Sequence, residues 1–113
     1  MIQNDLGEDR LIWFKCDVTN EDDVKNAIEG TVQKWGSLHV SLACAGVAWA
    51  MMTLTSKKTL DVAKFKKVMD INVNGSVYVT KYASMAMAKN KPVNDRGEKG
   101  VLIFVSSVAA EEG

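Results

Sequence analysis

Three short apolar runs in this chain of 113 residues end in side chains that are suited to contact a ligand. They end at Asp17–Val18, at Cys44–Gly46 and at Ser106–Ser107. A carboxylate accepts hydrogen bonds, small residues let a ligand approach the backbone, and a hydroxyl both donates and accepts. If the three runs are parallel strands, these groups meet at one edge of the sheet, where open parallel sheets bind ligands. The pattern therefore predicts a ligand site at that edge.

The runs themselves have the length and the flanking residues of buried strands. They are Leu11–Lys15, Leu38–Ala43 and Val101–Val105. Continuous apolar runs of this kind are typical of strands that are covered on both faces. The small residues at 44–46 also fit a plainer interpretation, in which they only pack a core strand against a helix.

Helical patterns fill the intervals between the predicted strands. Thr19 or Asn20 can cap a first helix, whose first turn is acidic and whose apolar stripe leads to a stop at Gly36. A second helical region runs from about residue 60 to 89 and is interrupted near Asn72–Gly75, since Asn and Gly disfavour helix interiors. The order strand, helix, strand, helix, strand predicts an α/β fold with a parallel sheet in a single domain.

The composition excludes several other classes of protein. Fourteen basic and fourteen acidic residues cancel, and this balance argues against a nucleic-acid or membrane-surface protein. No apolar run approaches the length of a membrane span, and the polar, acidic first ten residues do not resemble a targeting peptide. A lysine cluster could meet an acidic ligand tail or a partner, or simply form a solvated face: Lys57, Lys58, Lys64, Lys66 and Lys67.

The two cysteines, Cys16 and Cys44, lie 28 residues apart and belong to no C-x-x-C motif or histidine cluster. This spacing argues against a zinc site and a disulfide scaffold, and we predict no metal site. Free thiols also predict a reducing, intracellular location.

Four motifs in order resemble landmarks of the short-chain dehydrogenase/reductase family. They are residues 16–19 (Cys-Asp-Val-Thr), Ala45–Gly46, residues 70–75 (Asp-Ile-Asn-Val-Asn-Gly) and residues 105–107 (Val-Ser-Ser). Within that family the chain is most similar to the type-2 3-hydroxyacyl-CoA (17β-hydroxysteroid) dehydrogenases, which share Cys-Ala-Gly at the strand end and a run like residues 107–113. The resemblance implies a Rossmann-like sheet with flanking helices, NAD as cofactor with NADP not excluded, and a secondary alcohol or ketone as substrate.

The resemblance also assigns roles to individual residues. Asp17 and Val18 match the pair that contacts the adenine ring, and the backbone at Cys44, Ala45 and Gly46 matches the stretch beside the adenosine ribose. A departure from the family occurs at residue 43, where an alanine replaces the usual asparagine.

Two further residues match catalytic positions of the family. Asn72 resembles the asparagine that kinks the long helix and holds a water of the proton relay. Ser107 resembles the serine that hydrogen-bonds the substrate oxygen during hydride transfer. From the residues alone, Asn72 at a helix break either has a specific partner or faces solvent, while Ser107 is ordinarily a helix cap or a turn residue.

Two family motifs are absent from the 113 residues: the glycine-rich phosphate turn and the Tyr-x-x-x-Lys pair. In the family's strand order, 3-2-1-4-5, the first two strands are also missing, together with the C-terminal part. They would fill a gap of roughly 14 Å between Leu11–Lys15 and Leu38–Ala43. We therefore expect the chain to be unstable as a free monomer with the family's arrangement. It would either pair these two strands directly or need another polypeptide over its open sheet edges.

Two hypotheses follow. In the first, the chain is the central part of an NAD(P)-dependent dehydrogenase and is inactive by itself; in the second, it is a shortened, non-catalytic relative that serves as a structural or interaction subunit. The resemblance further implies homo-oligomers that pair through the helix at about 61–89, and a cytoplasmic or mitochondrial location.

Overall fold

The computed structural model describes residues 10–50 and 52–112. Within these residues, five helical segments and two strands follow one another. In order they are α1 (Glu21–Trp35), β1 (Val40–Ala43), α2 (Val62–Met69), a π-helical turn (Asp70–Asn74), α3 (Gly75–Met87), β2 (Val101–Phe104) and α4 (Ala109–Glu112).

The two strands form a parallel sheet, as the order of the elements predicts. Val40 pairs with Val101 and Ala43 pairs with Phe104. One further backbone hydrogen bond extends the ladder beyond its end, from the Val105 N–H to the Ala43 carbonyl at 3.1 Å. The carboxyl ends of both strands therefore lie side by side, which confirms the predicted α/β arrangement.

The first helix begins and ends at residues that the sequence indicates. Asn20, and not Thr19, is the N-cap: its side chain accepts a hydrogen bond from the Asp22 N–H at 3.0 Å. Gly36 ends the helix in the left-handed conformation, at φ 82°, and its N–H donates to the Val32 carbonyl at 2.7 Å. A residue with a Cβ would be strained there, so glycine suits this stop.

The predicted interruption of the second helical region is a π-helical turn rather than a break. The helix begins after its N-cap, Asp61, and the Gly75 N–H reaches the Asp70 carbonyl five residues earlier. Gly75 itself lies against the chain before α1: a Cβ at this position would meet the Val18 side chain at 3.0 Å and its carbonyl oxygen at 3.2 Å. The absence of a side chain at Gly75 thus lets the segment around Val18 cross the helix closely.

The strand predicted at Leu11–Lys15 is wrong, since the structure places no strand at these residues. A strand is stabilised by backbone hydrogen bonds to a neighbour, and within residues 10–50 and 52–112 the only sheet is the pair β1 and β2. Within the segment, the ring of Phe14 packs on Gly30 of α1 so closely that a Cβ there would lie 2.5 Å from it.

Helix α3 forms the layer beneath the sheet. It contacts both strands and also α1. Among the described residues the buried apolar side chains are only Val24, Ala83 and Met87. The strand residues Leu42 and Ile103 remain 57% and 44% exposed, although parallel sheets are ordinarily covered on both faces.

Candidate functional site

A groove of about 450 Å³ opens at the carboxyl ends of the two strands. We call it the strand-end groove, and it is lined by residues 43–48, Asn72, Ser76 and residues 104–107. Five of the seven residues predicted for the site meet here: Cys44, Ala45, Gly46, Asn72 and Ser107. The structure therefore places the small-residue gap and the hydroxyl in one opening, as parallel strands require.

A second opening of about 290 Å³ lies beside the groove, between the end of β1 and the π-helical turn. Val18 lines this side pocket, together with Cys44 and Ala45, which also line the groove. The two openings share a wall of small side chains. Val18 is thereby brought to the end of β1 even though the run that precedes it forms no strand.

Asp17 lines neither opening among the described residues. Its Oδ1 atom accepts hydrogen bonds from the Thr19 N–H at 2.9 Å and from the Thr19 hydroxyl at 2.8 Å. These two hydrogen bonds, and then the positive charge of Lys67, hold the pKa of the fully exposed Asp17 carboxyl below its ordinary value. The group is ionised at neutral pH and can accept a hydrogen bond from a ligand.

Asn72 is fixed to the chain segment that leaves β1. Its Oδ1 atom accepts from the Val47 N–H and its Nδ2 atom donates to the Val47 carbonyl, both at 2.9 Å. This pair of bonds, here called the Asn72–Val47 clamp, joins the π-helical turn to the floor of the groove. The partner that a mid-helix asparagine needs is therefore backbone, 25 residues away in the sequence.

The residue between the clamp and the strand is Gly46. A Cβ added to Gly46 would lie 3.6 Å from the Asn72 Oδ1 atom, an ordinary contact distance. Gly46 also does not adopt a positive φ, since Gly36 and Gly97 are the glycines that do so in the described part of the chain. Neither packing nor backbone conformation requires glycine at residue 46. The effect of the missing side chain is that space is left in the groove.

Ser107 caps the helix that follows it. Its hydroxyl oxygen accepts a hydrogen bond from the Ala109 N–H at 3.3 Å, at the start of α4. The Ser107 carbonyl accepts from the Ala110 N–H at 3.0 Å. Because the hydroxyl acts as an acceptor in this cap, its own hydrogen is still available to donate to an oxygen in the groove.

Ser76 is a groove residue that the sequence patterns did not single out. It lines both openings, and its hydroxyl donates to the Asn72 carbonyl at 2.7 Å. The signal that could have found it is the spacing of four residues from Asn72, which places both on one helix face.

Neither cysteine of the chain is in a disulfide. Partial burial, followed by the negative charges of Asp23 and Asp17, raises the pKa of the Cys16 thiol. In residues 10–50 and 52–112 no group of three or more His, Cys, Asp or Glu side chains is arranged to hold a metal ion. No helix in the same residues is both long and apolar enough to cross a membrane.

A parallel sheet backed by a helix, with a small-residue strand end and a serine lining one groove, is typical of the Rossmann-like class of folds. The family model described as enoyl-(acyl carrier protein) reductase matches residues 1–113. The chain belongs to the short-chain dehydrogenase/reductase family, as its motifs indicate.

The chain is also similar to individual members of the family. The chain is 36% identical over 108 residues to short-chain dehydrogenase reductase 3a of Arabidopsis thaliana, covering 96% of this chain and 38% of the relative. It is 36% identical over 104 residues to the human 3-hydroxyacyl-CoA dehydrogenase type-2, covering 90% of this chain and 40% of the relative. The chain thus spans about two fifths of the length of these curated relatives.

Solved structures confirm the partial Rossmann-like fold. The 3-hydroxyacyl-CoA dehydrogenase type-2 of Mycobacterium avium is similar with a TM-score of 0.84 and 28% identity, over 97% of this chain and 43% of that one. The protein ElxO, solved with NADP bound, is similar with a TM-score of 0.73 and 25% identity, over 94% of this chain and 39% of that one.

Proposed function

We propose that the chain is part of a nicotinamide-dependent oxidoreductase that transfers hydride between NAD(P) and a secondary alcohol, with a 3-hydroxyacyl group as substrate. The observation that carries the proposal is the strand-end groove, in which a free hydroxyl hydrogen on Ser107 faces a backbone stretch without bulky side chains. The names of the relatives support the 3-hydroxyacyl group.

The residues present fit the adenosine half of a dinucleotide. Asp17 offers an ionised carboxylate to an exocyclic amine, and Val18 offers an apolar side chain to the adenine ring. The stretch from Cys44 to Gly46 would lie against the ribose, where the lack of a side chain at Gly46 leaves room. When bound, the dinucleotide supplies the hydride acceptor or donor. We propose NAD because the chain resembles type-2 3-hydroxyacyl-CoA dehydrogenases, with NADP as the alternative that ElxO illustrates.

Ser107 would orient the substrate by donating its hydroxyl hydrogen to the reacting oxygen. Asn72 would act as a positioning residue, since its side chain fixes Val47 at the groove; the water that the resemblance assigns to it remains a prediction. Proton transfer to the substrate oxygen needs a general acid or base of suitable pKa. Neither Tyr78 nor Tyr82 is followed by a lysine four residues later. We therefore propose that these 113 residues form one partial dinucleotide-binding domain and do not turn over substrate alone.

A second candidate function is that of a non-catalytic interaction subunit. Four apolar side chains recur every fourth residue along the helix through the π-helical turn, and each is between 39% and 56% exposed: Phe65, Met69, Val73 and Val77. This row, here called the helix stripe, suits contact with another protein surface. In the oxidoreductase proposal the same stripe would pair subunits of a homo-oligomer, and in the second it would bind a different chain.

The first experiment is the intact mass of the protein from its natural source. A mass well above 12.4 kDa supports the oxidoreductase proposal, and a mass of about 12.4 kDa favours the interaction subunit. The same material, fractionated by compartment, tests the cytoplasmic or mitochondrial location that we propose.

The second experiment tests Ser107 by turnover of a 3-hydroxyacyl thioester in the natural-length protein. Removal of one hydrogen-bond donor to a reacting oxygen costs about 10²- to 10³-fold in kcat, so Ser107→Ala should lose that much. Ser107→Thr keeps the hydroxyl and the helix cap and should retain most of the activity. Equal activity of the alanine and threonine variants would overturn the assignment.

A further inference from the structure

The side pocket and the strand-end groove have part of their lining in common, here called the shared wall. Its residues are Ala43, Cys44, Ala45 and Ser76. Val18 lines the side pocket but not the groove, and Ser107 lines the groove but not the side pocket. A ligand that reaches from Val18 to Ser107 therefore passes the shared wall.

Ser76 is the residue of the shared wall with a strong hydrogen-bonding side chain. The two alanines carry a methyl group, and the Cys44 thiol is a weak donor and a weak acceptor. Ser76 is half-buried and lies in the first turn of α3. A ligand that passes the wall thus meets one hydroxyl among small, nearly apolar side chains.

The hydrogen bonds of Ser76 decide what its hydroxyl can still bind. The hydroxyl donates its hydrogen to the Asn72 carbonyl at 2.7 Å. Within residues 10–50 and 52–112 no group donates to the Ser76 Oγ atom. A serine hydroxyl has one hydrogen and two lone pairs, so Ser76 keeps its capacity to accept. The ligand group that suits it is a hydrogen-bond donor.

Ser107 has the opposite capacity, since its hydroxyl oxygen accepts from the Ala109 N–H and its hydrogen is available. The groove therefore offers a donor at Ser107 and an acceptor at Ser76. An ionised phosphate or carboxylate only accepts hydrogen bonds and would gain nothing from Ser76. A ribose hydroxyl can donate, and it would form a hydrogen bond with the Ser76 oxygen.

We infer that Ser76 is a further dinucleotide-binding residue, whose hydroxyl oxygen accepts a hydrogen bond from a ribose hydroxyl of the adenosine half. The inference rests on the proposed function, in which the adenine lies at Val18 and the ribose at Cys44–Gly46. Cys44 belongs to the shared wall, so a ribose at this position lies beside Ser76. Ser76 then favours dinucleotides with a free ribose hydroxyl over their deoxy analogues.

The contact is tested by calorimetric titration of the natural-length protein with NAD and with two analogues, which lack the 2′- or the 3′-hydroxyl of the adenosine ribose. Loss of one hydrogen bond weakens binding about twofold to tenfold, so one analogue should have a Kd raised by that factor. Ser76→Ala should raise the Kd of NAD similarly and leave the Kd of that analogue unchanged. Ser76→Thr keeps the hydroxyl and should keep the preference for NAD. If the protein binds NADP alone, the same comparison is made with NADP and its 3′-deoxy analogue.

The matched control is Thr80→Val. Thr80 lies about one turn further along α3, and its hydroxyl donates to the Ser76 carbonyl at 2.7 Å. It is not among the residues that line either opening. Ser76→Ala and Thr80→Val each remove a hydroxyl that bonds to the carbonyl four residues earlier, so a general effect on the helix should appear in both. Thr80→Val should keep the preference for NAD over its analogue.

Two results would overturn the inference alone. If both analogues bind to the unmodified protein as tightly as NAD, no ribose hydroxyl bonds to Ser76. If Ser76→Ala weakens NAD and the analogue by the same factor, the hydroxyl acts through the Asn72 carbonyl and does not contact the ligand. Absence of NAD and NADP binding to the unmodified protein would instead refute the dinucleotide in the proposed function, and the inference with it.

Discussion

The Asn72–Val47 clamp allows a quantitative prediction about the substitution Asn72→Ala. The change removes two hydrogen bonds to the Val47 backbone, each 2.9 Å long. A hydrogen bond in a folded protein contributes about 0.5–1.5 kcal/mol, so the pair contributes about 1–3 kcal/mol to the free energy of unfolding. Since Asn72 is exposed, water replaces part of the loss, and we expect a value in the lower half of this range.

Asn74→Ala is the matched control for this substitution. Asn74 lies in the same π-helical turn, but its side chain donates only to the Asp70 Oδ1 atom one turn earlier, at 3.0 Å. Such local pairs contribute about 0.2–0.5 kcal/mol. Both variants replace asparagine by alanine and gain the same helix propensity, so the difference between them isolates the clamp.

The assay is urea denaturation of the natural-length protein, with the free energy of unfolding taken from the midpoint and the slope. Asn72→Ala should unfold at a lower urea concentration than Asn74→Ala, with a difference of about 1 kcal/mol or more. If the chain binds a dinucleotide as proposed, its affinity should fall in the first variant alone, because Asn72 bonds to the Val47 backbone next to Cys44–Gly46 whereas Asn74 bonds to Asp70. Equal stabilities of the two variants would refute the clamp as a stabilising contact.

Two further predictions concern the packing of the helices. Gly75→Ala should lower the free energy of unfolding by about 1–2 kcal/mol despite its gain in helix propensity, because the new Cβ would meet the Val18 side chain at 3.0 Å. Adding Val18→Ala should restore part of this loss, as measured by thermal unfolding. The second prediction concerns Glu21, which accepts hydrogen bonds from Lys81 at 2.7 Å and from Tyr82 at 2.9 Å. Both bonds lower the pKa of the Glu21 carboxyl, and the bond from Lys81 has the larger effect. A carboxyl whose pKa is lowered by folding stabilises the protein at pH values above its unfolded-state pKa, and this stability is lost as the pH falls through the folded-state pKa. The stability advantage of the native chain over Glu21→Gln should therefore shrink between about pH 5 and pH 3. An advantage that stays constant over that range would contradict the role of the carboxylate.

Local chemistry explains which parts of the fold are predictable from the sequence. Asn20 and Gly36 fix the ends of α1 through backbone geometry within a few residues, and the positions of β1 and β2 follow from apolar runs. The π-helical turn falls where Asn72 and Gly75 disfavour a regular helix. These signals act within a turn or a strand, so no knowledge of distant residues is needed.

Features that depend on distant partners were not predictable in the same way. Leu11–Lys15 has the composition of a strand, but composition does not supply the neighbour whose backbone completes the ladder. The spacing of residues likewise does not predict that Asn72 bonds to the Val47 backbone, because 25 residues separate the two positions. The site residues Asp17, Val18 and Ser107 were assigned by resemblance, and their roles in binding and catalysis remain predictions.

Adjacent residues of the π-helical turn belong to different surfaces of the protein. Asn72 points to the strand-end groove through the clamp, while Val73 belongs to the exposed helix stripe. A partner bound to the stripe and a ligand bound in the groove would therefore contact the same five-residue turn. If association through the stripe changes the affinity of the groove for a ligand by some factor, thermodynamic linkage requires the ligand to change the association constant by the same factor. A single coupling free energy would then govern both association through the stripe and ligand binding in the groove.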